Sequence, residues 1–188
     1  TAILTQPSVV TATVSSLPVN CFGNATGTVS AGGSGGVAPY TYLWPSLGNS
    51  TLPSVGGAVA GNYTVTIKDA NLCAITKTVT VTQPSSLTLT STLTPATCGN
   101  ANGSVSVTVS GGTTPYNYNW SNGNLTNVLT SVSAGTYSIT VTDFNGCVLT
   151  SSVTITNIPG PTAITGTTTL AGCGLSNGTY NITGVTGG

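Results

Sequence analysis

Ala134-Gly135-Thr136-Tyr137-Ser138-Ile139-Thr140-Val141-Thr142-Asp143 sets a large apolar side chain at every second position, with Ser and Thr between. A period of two built from β-branched and aromatic residues describes a strand with one face in a core and the other in water. The same stretch occurs earlier as Ala60-Gly61-Asn62-Tyr63-Thr64-Val65-Thr66-Ile67-Lys68-Asp69. Val105, Val107 and Val109 alternate with Ser and Thr in the same way, as do Val153 and Ile155. Asn102-Gly103, Gly111-Gly112, Asn122-Gly123 and Asn145-Gly146 mark turns between these runs. No segment carries a helical apolar period of useful length, so the chain is predicted to be all-β.

The other landmarks repeat as well. Thr5-Gln6-Pro7-Ser8 returns at Thr82 to Ser85, and Cys21-Phe22-Gly23-Asn24-Ala25-Thr26-Gly27 matches Cys98-Gly99-Asn100-Ala101-Asn102-Gly103 and again Cys173-Gly174-Leu175-Ser176-Asn177-Gly178. Gly35-Gly36-Val37-Ala38-Pro39-Tyr40-Thr41-Tyr42-Leu43-Trp44 matches Gly111-Gly112-Thr113-Thr114-Pro115-Tyr116-Asn117-Tyr118-Asn119-Trp120. Each landmark recurs after about 75 residues, the size of a small sandwich domain. The register divides the chain into four parts: residues 1–6, the tail of a preceding repeat; 7–83, the first repeat; 84–159, the second; and 160–188, the opening strands of an incomplete third. The parent chain is therefore expected to continue beyond this sequence. Six or seven short strands per unit, with turns every 8–12 residues, predict tandem immunoglobulin-like antiparallel β-sandwiches. Trp44 and Trp120 fall on the third strand of each unit. Tyr63 and Tyr137 follow Ala-Gly, where a tyrosine hydroxyl can bond back to the chain. These four aromatics are predicted to be core residues.

Charge narrows the function. Among 188 residues the ionised side chains are Lys68, Asp69, Lys77 and Asp143, and there is no His. Acid–base catalysis needs a titratable group at the reacting proton, and Ser–His–Asp and Cys–His arrangements lack their base here. The cysteines stand singly, without the paired spacing of a zinc site, and no phosphate-binding glycine loop opens a helix. Two lysines do not make a nucleic-acid surface. The expectation is a non-enzyme with no catalytic residue and no cofactor, binding no nucleic acid and not inserted in a membrane, since its apolar runs are too short to span one as a helix.

At these residues the chain resembles a known family. The order Cys…Gly, Gly-Gly-x-x-Pro-Tyr-x-Tyr-x-Trp and Ala-Gly-x-Tyr-x-[Val/Ile]-Thr-[Val/Ile]-x-Asp-x-Asn-x-Cys resembles the SprB repeat of large surface and secreted proteins of gliding and related Bacteroidetes bacteria. Two positions depart from it: Leu72 stands where the turn wants Gly, and Pro45 follows Trp44 where Ser121 follows Trp120. The resemblance implies export, cell-surface display, tandem arrays and a role in adhesion or gliding.

Five cysteines occupy two equivalent places: Cys21, Cys98 and Cys173 ahead of the first turn, and Cys73 and Cys147 behind the Asp-x-Asn turn. Their placement reads as structural disulfides of an oxidising, extracellular compartment. Two connectivities stay open. Pairing within repeats would give Cys21–Cys73 and Cys98–Cys147. In a sandwich those two turns lie at opposite ends, beyond the ~7 Å Cα separation a bridge spans. In a head-to-tail array one repeat's first turn faces the next repeat's last, which would give Cys21–Cys147. Asp69 and Asp143 are weak calcium candidates, because one carboxylate is few for an ion that takes six to eight oxygens. An Asx-turn explains them better.

Two functions compete. One is a structural or adhesive segment of a long cell-surface protein or filament that associates with its own copies. The other is a carbohydrate-binding or spacer module of a secreted multidomain enzyme, with a surface polysaccharide as partner stacked on Tyr40, Tyr42 and Trp44. If those aromatics face the core, the second loses its binding surface.

Overall fold

The computed structural model describes residues 6–187. Of the expected tail of a preceding repeat, all but Gln6 lies outside the described residues.

In the first repeat the strands are β1 (Thr11–Leu17), β2 (Gly27–Ser34), β3 (Thr41–Leu43), β4 (Ser54–Ala58), β5 (Gly61–Lys68) and β6 (Ala74–Val81). They form two antiparallel sheets, ordered β1-β2-β4 and β3-β5-β6. The alternation that predicts β5 is realised residue by residue. Tyr63, Val65 and Ile67 are buried, while Thr64 and Lys68 are exposed. β5 pairs along its whole length with β6, Val65 opposite Lys77 and Ile67 opposite Ile75. The core between the sheets holds Val29, Trp44, Tyr63, Val65, Ile67 and Val81. A fully buried indole must satisfy its N–H, and Trp44 Nε1 donates to the Leu52 carbonyl at 3.0 Å.

The second repeat has β7 (Thr88–Thr94), β8 (Ala96–Thr97), β9 (Gly103–Ser110), β10 (Asn117–Trp120), β11 (Val128–Val132), β12 (Gly135–Thr142), β13 (Val148–Ile155) and β14 (Asn157–Ile158). Sheets β7-β9-β11 and β10-β12-β13 mirror those of the first repeat, and β8 and β14 add a short parallel pair. Val105, Val107, Trp120, Leu129, Ile139 and Val141 fill the core. Trp120 Nε1 donates to the Thr126 carbonyl at 2.8 Å. The two tyrosines close the same corner in each unit: Tyr63 Oη donates to Val59 O at 2.9 Å and Tyr137 Oη to Ser133 O at 3.0 Å. β15 (Ala163–Thr169) and β16 (Thr179–Thr186) pair as an antiparallel hairpin.

The fold class is thus all-β, with antiparallel immunoglobulin-like sandwiches. The chain resolves into two compact units whose limits do not follow the sequence repeats. The first takes in the residues up to Leu87 together with two loops from the second repeat's sequence, Gly111–Pro115 and Asp143–Cys147. The second comprises Thr88–Ser110, Tyr116–Thr142 and the residues from Val148 on.

The outer faces solve a problem that charge solves elsewhere. Hydroxyls pair across strands: Thr11 with Ser34 (2.7 Å), Thr88 with Ser110 (2.7 Å), Thr136 with Thr154 (3.0 Å) and Ser30 with Ser54 (2.9 Å). Such cross-strand pairs contribute roughly 0.2–1 kcal/mol each.

Leu72 sits in the turn before β6 with φ +66°, while its equivalent, Gly146, has φ +81°. Leucine in the left-handed region carries a penalty of roughly 1–2 kcal/mol, and a side chain 77 % exposed returns little of it through packing. Leu72→Gly is expected to raise stability by about 1 kcal/mol, read from urea unfolding. An unchanged midpoint would show that the turn is not strained.

Candidate functional site: the Asp-x-Asn turn and its cysteine

The two acidic residues of the chain occupy equivalent turns and are both buried, Asp69 at 3 % exposure and Asp143 at 2 %. A buried carboxylate needs donors to replace water. Asp69 Oδ2 accepts the Val37 N–H at 3.0 Å, and Oδ1 accepts the Asn71 and Cys73 N–H groups at 2.9 and 2.8 Å. Asp143 Oδ2 accepts the Thr113 N–H and Oδ1 the Cys147 N–H, each at 2.8 Å. Each aspartate therefore clamps the Gly-Gly loop of its repeat to the turn that presents the cysteine. The glycines follow from this closeness. A Cβ on Gly36 would lie 2.5 Å from Asp69 Oδ2, one on Gly112 2.7 Å from Asp143 Oδ2, and both residues have φ +61°.

This geometry bears on the weak calcium candidates Asp69 and Asp143. Oxygens already facing N–H hydrogens are poorly placed to ligate a cation, and the described residues hold no cluster of three or more metal-ligating side chains. Asp69 and Asn71 instead form an Asx-turn.

Of the five cysteines, Cys21 and Cys147 form a disulfide across 126 residues, with Cα atoms 5.6 Å apart. This is the pairing between sequence repeats, and it leaves no place for Cys21–Cys73 or Cys98–Cys147. Both bridged residues lie in the first compact unit. Asn145 Nδ2 adds bonds to the Asn20 carbonyl (3.1 Å) and Thr113 Oγ1 (3.0 Å). Cys73, Cys98 and Cys173 are free thiols, all exposed. The Asp clamps and the Asn145 bond escape sequence reasoning about catalytic types, although the exclusive placement of Asp in these two turns is a visible signal.

The aromatic residues do not form a platform. Trp44 and Trp120 are buried, and Tyr40, Tyr42, Tyr116 and Tyr118 are half-buried against the same cores. Tyr40 Oη also donates to the Gly35 carbonyl at 2.5 Å.

Burial of Asp69 raises its pKa, but the N–H groups of Val37, Cys73 and Asn71 more than offset this and hold it below the ordinary carboxylate value. A carboxyl held low in the fold contributes stability above its unfolded pKa of about 3.9, and that contribution is lost as pH falls through the lower folded-state value. Asp69→Asn is expected to be less stable at neutral pH and to lose less on acidification, measured by urea midpoints across the acid range. Parallel curves for the two proteins would remove the clamp from the account.

Comparison with known proteins places these features. The family described as "SprB repeat" matches residues 13–49 and 90–125. No curated protein matches the chain. Among solved structures, the N-terminal eight Ig domains of Down Syndrome Cell Adhesion Molecule are similar at 12 % identity and a TM-score of 0.40, over 80 % of this chain and 25 % of that one. The amphioxus IgVJ-C2 molecule is similar at 14 % identity and a TM-score of 0.33, over 81 % and 98 % of the two chains. The Clostridium thermocellum CbhA fibronectin(III)-like modules are similar at 14 % identity and a TM-score of 0.31, over 78 % and 95 %. Each of the two sequence repeats thus carries a segment that matches the SprB repeat.

Proposed function

We propose that the chain is a structural and adhesive segment of a long, secreted bacterial surface protein or filament. The observation that carries this reading is the Cys21–Cys147 bridge, which ties the first turn of one sequence repeat to the last turn of the next. A bond at that place removes a degree of freedom from a tandem chain, a use suited to bearing load. It also requires an oxidising compartment, in keeping with export. The short Pro159-Gly160-Pro161 segment supports the same end, since proline restricts the backbone where repeats follow one another. The side chains offer no acid, base or nucleophile set for catalysis. Exposed hydroxyl-rich strands, with almost no charge to repel like surfaces, favour association with other copies.

The carbohydrate-binding alternative would need Tyr40, Tyr42 and Trp44 on an open face, and their side chains pack against the core.

Electron microscopy of the native, unboiled parent protein tests the proposal. Eight-residue strands rising about 3.3 Å per residue, with their turns, advance a unit by roughly 35–45 Å. Extended fibres with that axial spacing, or a multiple of it, are the expected result. Flexible, unordered beads would overturn the filament reading.

A further inference from the structure

β6 and β13 are the edge strands of their sheets, β3-β5-β6 and β10-β12-β13. An unpaired edge is a template for another strand, and proteins guard it with inward-pointing charge or a covering segment. β6 stands at an edge although a complete further repeat follows it, so the free edge belongs to the repeat's own topology. The phase of the ladder decides which backbone groups are free. Asp143 N–H donates to the Cys147 carbonyl, so Val141 with Leu149 and Ile139 with Ser151 are the hydrogen-bonded pairs of β12 and β13. The N–H and C=O groups of Val148, Thr150 and Ser152 therefore point away from β12, to the open side. Further along, the Thr156 carbonyl points the same way and accepts the Ala96 N–H at 2.9 Å.

The two repeats treat this edge differently at three equivalent positions. Lys77 lies opposite Val65 in the same row as Ile75, Val79 and Val81, so a charge stands on the core-facing row of β6. Its equivalent, opposite Ile139, is Ser151. Ser16 Oγ donates to the Thr80 carbonyl at 2.8 Å and occupies part of the β6 edge. The equivalent residue is Leu93, whose side chain has no donor and is 44 % exposed. Ala74, which begins β6, is replaced by Val148, 60 % exposed. Each change takes a guard off β13 or adds apolar surface to it.

We infer that the open edge of β13, from Val148 to Ser152, pairs in antiparallel register with the same edge of a second copy of this chain. The segment Val148-Leu149-Thr150-Ser151-Ser152 suits its own copy. Centred on Thr150, the pairing sets Val148 against Ser152 and Leu149 against Ser151, with no charge on either strand. Thr150 exchanges two hydrogen bonds with its counterpart, and two three-stranded sheets continue as one. The contact is isologous and closes as a pair. Lys77 forbids the same joint at β6, because two lysines would enter it without partners. The joint gives the proposed association of copies its surface and rests on that reading.

The test uses the full chain with Cys73, Cys98 and Cys173 alkylated by iodoacetamide, so that no disulfide forms between copies. Sedimentation velocity is expected to show a concentration-dependent dimer. Amide hydrogen exchange at Val148, Thr150 and Ser152, followed by NMR, is expected to slow as the dimer forms. Thr150→Pro removes an N–H that β12 does not use, a change edge strands accept, and should weaken the dimer about tenfold. Ser151→Lys installs the residue that β6 already carries and should weaken it at least as much. Thr76→Pro, the equivalent change on β6, should leave the dimer as it is. An intact Cys21–Cys147 bond and an unchanged far-ultraviolet spectrum report that each variant has folded. Three outcomes would overturn the inference: a chain still monomeric at millimolar concentration, a dimer untouched by Thr150→Pro and Ser151→Lys, or a dimer whose three amides exchange as freely as in the monomer. Absence of the axial spacing in the parent protein would count against the filament reading alone.

Discussion

Each repeat depends on one buried carboxylate. Asp69 and Asp143 are the acidic residues of the chain, and both are used on backbone N–H groups. A carboxylate removed from water is costly unless several donors converge on it. Here the convergence itself is the structural device, because the donors come from two loops distant in sequence. The loop after β2 is thereby held to the turn before β6, and the loop after β9 to the turn before β13. Those turns carry Cys73 in one repeat and Cys147 in the other. The covalent chemistry of the chain is thus presented by an electrostatic clamp, and the left-handed glycines Gly36 and Gly112 let the backbone come close enough to make it.

The remainder of each unit is ordinary β-sandwich physics with an unusual surface. The inner faces bury a tryptophan and a band of β-branched residues. The outer faces carry hydroxyls paired across strands in place of ion pairs. Such a surface is wetted without being strongly repelled by its copies. This is a liability for a free monomer and an advantage for a chain displayed in arrays.

Much of this was legible in the sequence, for identifiable reasons. The alternation through Tyr63, Val65 and Ile67 specified both the strand and its buried face, since period two leaves only one register with the apolar set inside. Ala-Gly-x-Tyr located the tyrosine corner. Spacing alone left the pairing of cysteines open, because a bridge is decided by distance between turns that are not neighbours in the chain. Likewise, no local signal assigns Gly111–Pro115 and Asp143–Cys147 to the first compact unit. That grouping follows from the Asp143 clamp, the Asn145 bond to Asn20 and the disulfide together. The aspartates were recognised as turn residues, but their reach to the Gly-Gly loop could not be read from a tripeptide.

The central claim is that the clamped turn of one repeat is covalently joined to the first turn of the repeat before it. Its most direct test is peptide mapping of the oxidised, unreduced chain with trypsin and chymotrypsin together, where cleavage after Phe22, Tyr63, Lys77, Tyr116, Phe144 and Leu149 separates every cysteine from the others. The account predicts a disulfide-linked peptide pair containing Cys21 and Cys147. Recovery of Cys21 with Cys73, or of Cys98 with Cys147, would contradict it.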